Sequence, residues 1–126
     1  MSAMPEPALQ ITLYGIRNCD TVKKARAWLD KQGVAYAFHD YKLAGIERPR
    51  LEQWCKELGW ERVLNRAGTT FRKLSDTDKT GLDAAKAIRL MLEQPSLIKR
   101  PVLDLGKRRL IGFKPEEYGQ AKELVR

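Results

Sequence analysis

The hydrophobic pattern changes period twice within the first forty residues, and that change restricts the chain to few architectures. In Leu9-Gln10-Ile11-Thr12-Leu13-Tyr14 the apolar residues Leu9, Ile11 and Leu13 alternate with Gln10, Thr12 and Tyr14, as in a strand. From Asp20 to Lys31 the period becomes helical: Val22, Ala25, Trp28 and Leu29 mark one face, and Gly33 is a natural stop. Val34, Tyr36 and Phe38 then alternate with Ala35, Ala37 and His39, a second short strand. Strand, helix and strand within about 30 residues make a βαβ unit, whose two strands lie parallel.

The middle of the chain reads as helical. Pro49 suits a first helical turn, and Leu51, Trp54, Cys55 and Leu58 share a face up to Gly59. A polar loop, Asn65-Arg66-Ala67-Gly68-Thr69-Thr70, follows. Thr80-Gly81-Leu82-Asp83 resembles a capping box, and the helix behind it carries Leu82, Ala85, Ile88 and Leu92 before Pro95. In the last third, Val102–Leu105 and Arg109–Ile111 form a hairpin signal around Gly106-Lys107. A final helix opens at Pro115-Glu116-Glu117, with Tyr118, Ala121 and Leu124 facing inward. The order is βαβ, helices, ββα.

A length of 126 residues fits one domain, expected over 9–126 with a helical insertion at about 46–96. Residues 1–8 read as a flexible tail, with neither the basic region nor the apolar stretch of a signal peptide. No apolar run approaches the roughly 20 residues a membrane helix needs. A cytoplasmic, monomeric protein is expected. The net charge of +8 comes from scattered Lys and Arg rather than a run of like charges, which suits a solvated basic surface. Direct nucleic-acid binding is not expected, because no helix-turn-helix, zinc finger or aromatic RNA-binding motif is visible. One His and no Cys-x-x-Cys pair leave no metal-ligand set to expect.

Cys19 stands where the first strand gives way to the first helix. A thiol there can point at the unpaired N–H groups of the helix start, and those groups with the helix dipole favour the thiolate. Its flanks, Arg17-Asn18 and Asp20-Thr21, are polar, which argues against a buried structural cysteine. Lys23 and Lys24 add positive charge, and Asp20 opposes it. Val22 occupies the position where a resolving cysteine would complete a dithiol motif, so a redox cycle needs a second thiol from elsewhere. Cys55, beside Trp54 on an apolar helix face, reads as a core residue.

Four segments carry a resemblance. Leu13–Leu29 around Cys19, Asn65–Leu74, Ile98–Val102 and Ile111–Glu116 resemble, in order and at compatible spacing, the motifs of the arsenate reductase-like (ArsC/Spx) family of thioredoxin-fold proteins. Within that family they look like its YffB-type members, described as glutathione-dependent thiol reductases. The resemblance implies an α/β thioredoxin-like fold: βαβ, helical insertion, ββα, with a four-stranded mixed sheet. It implies Cys19 as the nucleophile, and Arg66 and Arg100 as forks for an oxyanion or a glutathione carboxylate. It makes Pro101 a cis proline facing the cysteine, and it adds Asn18 and Lys114 to the anion- or glutathione-binding set.

Departures from the pattern narrow the chemistry. Arsenate-reducing members usually carry a His four residues before the Cys, where this chain has Gly15. They often follow the Cys with Gly-Thr-Ser, where this chain has Asp20-Thr21-Val22. Their third anion-binding Arg falls at Phe113-Lys114, and a Lys there is only a point charge. Arsenate is therefore not the expected substrate. The expectation is a monothiol oxidoreductase with no bound cofactor. Glutathione would be its co-substrate, a disulfide or oxyanion its substrate, and glutaredoxin a further partner. The alternative is an Spx-like regulator that binds RNA polymerase without catalysis, although Val22 removes the usual Cys-x-x-Cys switch of such proteins.

Overall fold

In a computed structural model, residues 10–124 are described, with side chains to residue 121. The tail expected over residues 1–8, Leu9 at the head of the first strand and the side chain of Leu124 lie outside the described residues. The chain runs β1 (Thr12–Gly15), α1 (Asp20–Lys31) and β2 (Ala37–Asp40), then enters a helical stretch. That stretch comprises α2 (Tyr41–Ala44), α3 (Arg48–Leu58), α4 (Trp60–Val63), α5 (Thr69–Arg72), α6 (Asp76–Lys79), α7 (Ala84–Glu93) and a 3-10 turn at Pro95–Leu97. It closes with β3 (Val102–Asp104), β4 (Arg109–Ile111) and α8 (Pro115–Leu124). The sheet order is β2-β1-β3-β4, with β1 parallel to β2 and antiparallel to β3, and β3 antiparallel to β4. This is a thioredoxin-like α/β fold.

Strand alternation sorts the core into two layers. Leu13 sits opposite Phe38 and Leu103, and Leu103 opposite Leu110. That row packs against Val22, Ala25 and Leu29 of α1 and Tyr118 and Ala121 of α8. The next row, Tyr14 opposite His39 and Val102, with Val102 opposite Ile111, faces the other way. It packs against Leu51 and Trp54 of α3 and Ala87, Leu90 and Met91 of α7. The helical insertion thus covers one face of the sheet, and α1 with α8 covers the other.

The structure corrects several boundaries and one helix face: β1 begins at Thr12, past Gln10 and Ile11, and ends at Gly15, and β3 ends at Asp104 rather than Leu105. β2 begins at Ala37 rather than Val34, because the Val34 N–H still closes the end of α1 by donating to the Leu29 carbonyl (3.0 Å). Val34 and Tyr36 nonetheless pack on the α1 layer. α7 begins at Ala84, capped by Asp83, whose carboxylate accepts from the Lys86 N–H at 2.8 Å. Thr80 instead caps the end of α6 and donates its hydroxyl to the Asp76 carbonyl (2.7 Å). The buried face of α7 is therefore Ala87, Ile88, Leu90 and Met91, while Ala85 is exposed and Leu92 only partly covered.

Candidate active site

β1 delivers the chain to the helix through a tight turn. The Cys19 N–H donates to the Ile16 carbonyl (3.1 Å), and the Arg17 N–H donates to a carboxylate oxygen of Asp40 (3.1 Å). Cys19 is the extended N-cap of α1, with φ −91° and ψ 127°, and its carbonyl accepts the first helical bond from the Lys23 N–H (2.9 Å). The thiol is partly covered and packs against the α1 layer of the core.

Two opposing effects act on this thiol. Burial pushes its pKa up. The N–H groups of Val22 and Thr21 and the Arg100 guanidinium outweigh burial, the guanidinium both as a hydrogen-bonding group and as a charge, and the net shift is downward. The sulfur makes no capping bond of full hydrogen-bond geometry. Cys55 is the opposite case. Buried among Leu51 and Trp54, it is pushed up to about 11 by desolvation and the Glu52 charge. It belongs to the layer on the other face of the sheet from Cys19.

Arg100 arrives from the end of the insertion. One of its terminal nitrogens donates to the Ser96 carbonyl (2.8 Å), while its buried Nε has no hydrogen-bond partner among the described residues. The Arg100–Pro101 peptide bond is cis, and Pro101 is buried. Arg66, Asn18 and Lys114 do not contribute to the shift at the Cys19 thiol. The loop bearing Arg66 is drawn against this segment by the Leu64–Ile98 bridge and by the Asn65 N–H donating to the Leu97 carbonyl (2.8 Å). The Arg66 side chain itself is exposed and stacks 5.9 Å above the Trp60 ring. Asn18 is exposed on the turn before Cys19, and Lys114 is exposed beside a separate cavity.

Two residues that sequence reasoning passed over hold this site together. Tyr41 is fully buried, and its hydroxyl donates to the carbonyls of Ile98 (3.1 Å) and Lys99 (3.4 Å), the two residues before Arg100. Desolvation drives its pKa up, with Arg100 and the Cys19 thiolate as electrostatic neighbours. Asp40 caps α2 through the N–H groups of Lys42 and Leu43 and reaches back to Arg17. The only sequence signal was a polar-aromatic pair, Asp40-Tyr41, closing an apolar strand.

No helix among the described residues is long and apolar enough to cross a membrane. A solved structure of a protein titled YFFB (PA3664) superposes with a TM-score of 0.87 at 64% identity, covering 89% of this chain and 98% of that one. An uncharacterized protein of Haemophilus influenzae is 41% identical over 111 residues, 88% of this chain and 97% of that protein. The global transcriptional regulator Spx of Streptococcus agalactiae is 34% identical over 110 residues, 85% of this chain and 79% of the regulator. The model of the ArsC family matches residues 14–121, a span that takes in Cys19, Arg66, Arg100, Pro101 and Lys114 together, and the chain belongs to that family.

Proposed function

We propose that this protein is a monothiol reductase that uses glutathione. The observation that carries the reading is the Cys19 thiol at the start of α1, its pKa lowered by two helix N–H groups and by Arg100. In the proposed reaction the Cys19 thiolate attacks the glutathione sulfur of a mixed disulfide. The substrate's sulfur–sulfur bond breaks, and the substrate sulfur leaves as a thiolate that takes a proton from water. The bond formed joins Cys19 to glutathione. A second glutathione thiolate then attacks the glutathione sulfur of that adduct, which frees the Cys19 thiolate and yields oxidised glutathione. The two electrons that reduce the substrate thus come from glutathione thiols, and no second cysteine of this chain is required. Cys55, with its raised pKa and its place in the opposite layer, is a poor resolving thiol.

Arg100 has a stated part in this scheme. A buried donor without a partner costs about 1–3 kcal/mol, and a carboxylate or oxyanion of the substrate bound beside Cys19 would give the Arg100 Nε one. Arg66 would act from the adjoining loop, and Asn18 from the turn before the cysteine. Intact mass after treatment with oxidised glutathione tests the reading. Wild type is expected to gain one glutathione and Cys19→Ser none; an equal adduct on the variant would remove Cys19 from the mechanism.

A second reading rests on the 34% identity to the Spx regulator. In it the protein binds RNA polymerase rather than turning over a substrate. Polymerase subunits recovered above background on the immobilised protein, together with no glutathione adduct on Cys19, would favour it.

A further inference from the structure

A cavity of about 360 Å³ is lined by Glu61, Arg62, Lys99, Ile111, Gly112, Phe113 and Lys114, and its Lys99 directly precedes Arg100 of the candidate active site. Backbone bonds assemble it from three distant segments. The Lys99 N–H donates to the Val63 carbonyl (2.7 Å), which pins the end of α4 to the segment before Arg100. The Gly112 N–H donates to the Pro101 carbonyl (2.8 Å), which pins the end of β4 to the same segment. The cavity is therefore built from segments tied by backbone bonds to Lys99 and Pro101, the two residues that flank Arg100.

Its charges are unspent. None of Arg62, Lys99 and Lys114 forms an ion pair or a side-chain hydrogen bond among the described residues, although Glu61 lines the same space. Elsewhere the chain does pair its cations, as in Arg89 with Asp78 and Glu93, and Arg109 with Glu57 and Asp104. Three cations and one carboxylate around a small cavity suit a ligand with two carboxylates and one ammonium group.

We infer that this cavity binds the charged ends of the thiol co-substrate, a short zwitterionic peptide with two carboxylates. Arg62 and Lys99 take one carboxylate, Lys114 the other, and Glu61 the ammonium. The inference rests on the proposed thiol–disulfide exchange at Cys19 and adds how the anionic thiol is recognised.

The test is an NMR titration of labelled Cys19→Ser protein, in which no covalent adduct at Cys19 can form, with reduced glutathione as the probe. Saturable shifts of the Lys99, Gly112 and Phe113 amides are expected. Neutralising the ligand as its diethyl ester, or the cavity as Arg62→Gln/Lys99→Gln, is expected to weaken binding about fivefold, the scale of two partly exposed ion pairs. Both substituted side chains belong to exposed residues, and the spectrum of the double variant reports directly whether it is folded. Amides that do not move, or equal affinity for the ester or in the double variant, would overturn the inference. The mass experiment separates the two ideas. An adduct on Cys19 without cavity shifts overturns the cavity alone. Cavity shifts without an adduct support the cavity and overturn the exchange chemistry.

Discussion

At the scale of single residues, the reactivity of Cys19 depends on a cation that is held by another side chain. The sulfur's pKa is lowered against the pull of burial, and Arg100 supplies part of that lowering both by hydrogen bonding and by charge. The alkylation rate of wild type is therefore expected to titrate with a midpoint below the free-thiol value of about 8.5, and Arg100→Gln is expected to move it upward. The sign for stability follows from the same shift. The folded thiol binds its proton less tightly than the unfolded one. Its contribution is fully present above the unfolded pKa and is lost as pH falls through the folded pKa. Tyr41 extends the argument by one residue. Its hydroxyl bonds the two carbonyls that precede Arg100. Tyr41→Phe is expected to cost about 1 kcal/mol of unfolding free energy in urea and to raise the Cys19 midpoint, although residue 41 carries no charge at neutral pH. A variant with lower stability and an unmoved midpoint would make Tyr41 a packing residue only.

At the scale of elements, two departures from the arsenate-reducing pattern prove to be a single packing event. A Cβ placed on Gly15, the last residue of β1, would lie 2.7 Å from Cγ2 and 3.2 Å from Cγ1 of Val22, a fully buried residue in the first turn of α1. The branched side chain fills the space that a side chain at position 15 would need. Gly15→Ala is expected to destabilise by about 1–3 kcal/mol through overpacking. Val22→Ala should relieve most of that penalty, so a double-mutant cycle in urea should show a coupling of about 0.5–3 kcal/mol; additive effects would mean that the helix start shifts freely. This pair also illustrates what was legible. The strand-to-helix boundary at Cys19 could be read because both periods run long enough on either side of it. Nothing in the sequence tied Gly15 to Val22, because the contact depends on the angle at which α1 leaves the sheet. The stretch from Trp60 to Lys79 was opaque for a different reason: α4, α5 and α6 have four residues each, too few to display a 3.6-residue stripe. Arg100 was named only through the resemblance to a family, since one Arg before a strand carries no pattern of its own. Tyr41 was lost because a buried aromatic after a strand reads as core.

At the scale of the molecule, the sheet is the shared wall of two apolar layers, and the candidate site draws on both. Cys19 packs with the α1 layer, while Arg100 and Tyr41 come from the insertion side. Neighbouring residues of the central strand, Leu13 and Tyr14, serve opposite layers. One layer should therefore not melt while the other persists. A charged cluster at the far end of the sheet lets this be tested away from the site. Asp104, 7% exposed, lies 3.6 Å from Arg50 of α3 and 3.4 Å from Arg109 of β4, and Arg109 reaches Glu57 of α3 at 2.9 Å. Asp104→Ala strips one of two carboxylates from a largely buried Arg109, which keeps Glu57, and is expected to cost about 1–3 kcal/mol. Arg50→Ala removes a partner whose side chain is 40% exposed and should cost less than about 1 kcal/mol. The cluster joins the insertion to the sheet, so independent layers would lose only the α3 side in Asp104→Ala. Coupled layers should unfold together. Trp28 reports on the α1 layer, and Trp54 with Trp60 on the insertion layer. Read in Trp→Phe backgrounds that leave one layer fluorescent at a time, both reporters in Asp104→Ala are expected to shift to the same lower urea midpoint, coincident with far-UV circular dichroism. An earlier midpoint confined to Trp54 and Trp60 would divide the molecule at the sheet. Cys19 would then lose Arg100 before α1 unfolds.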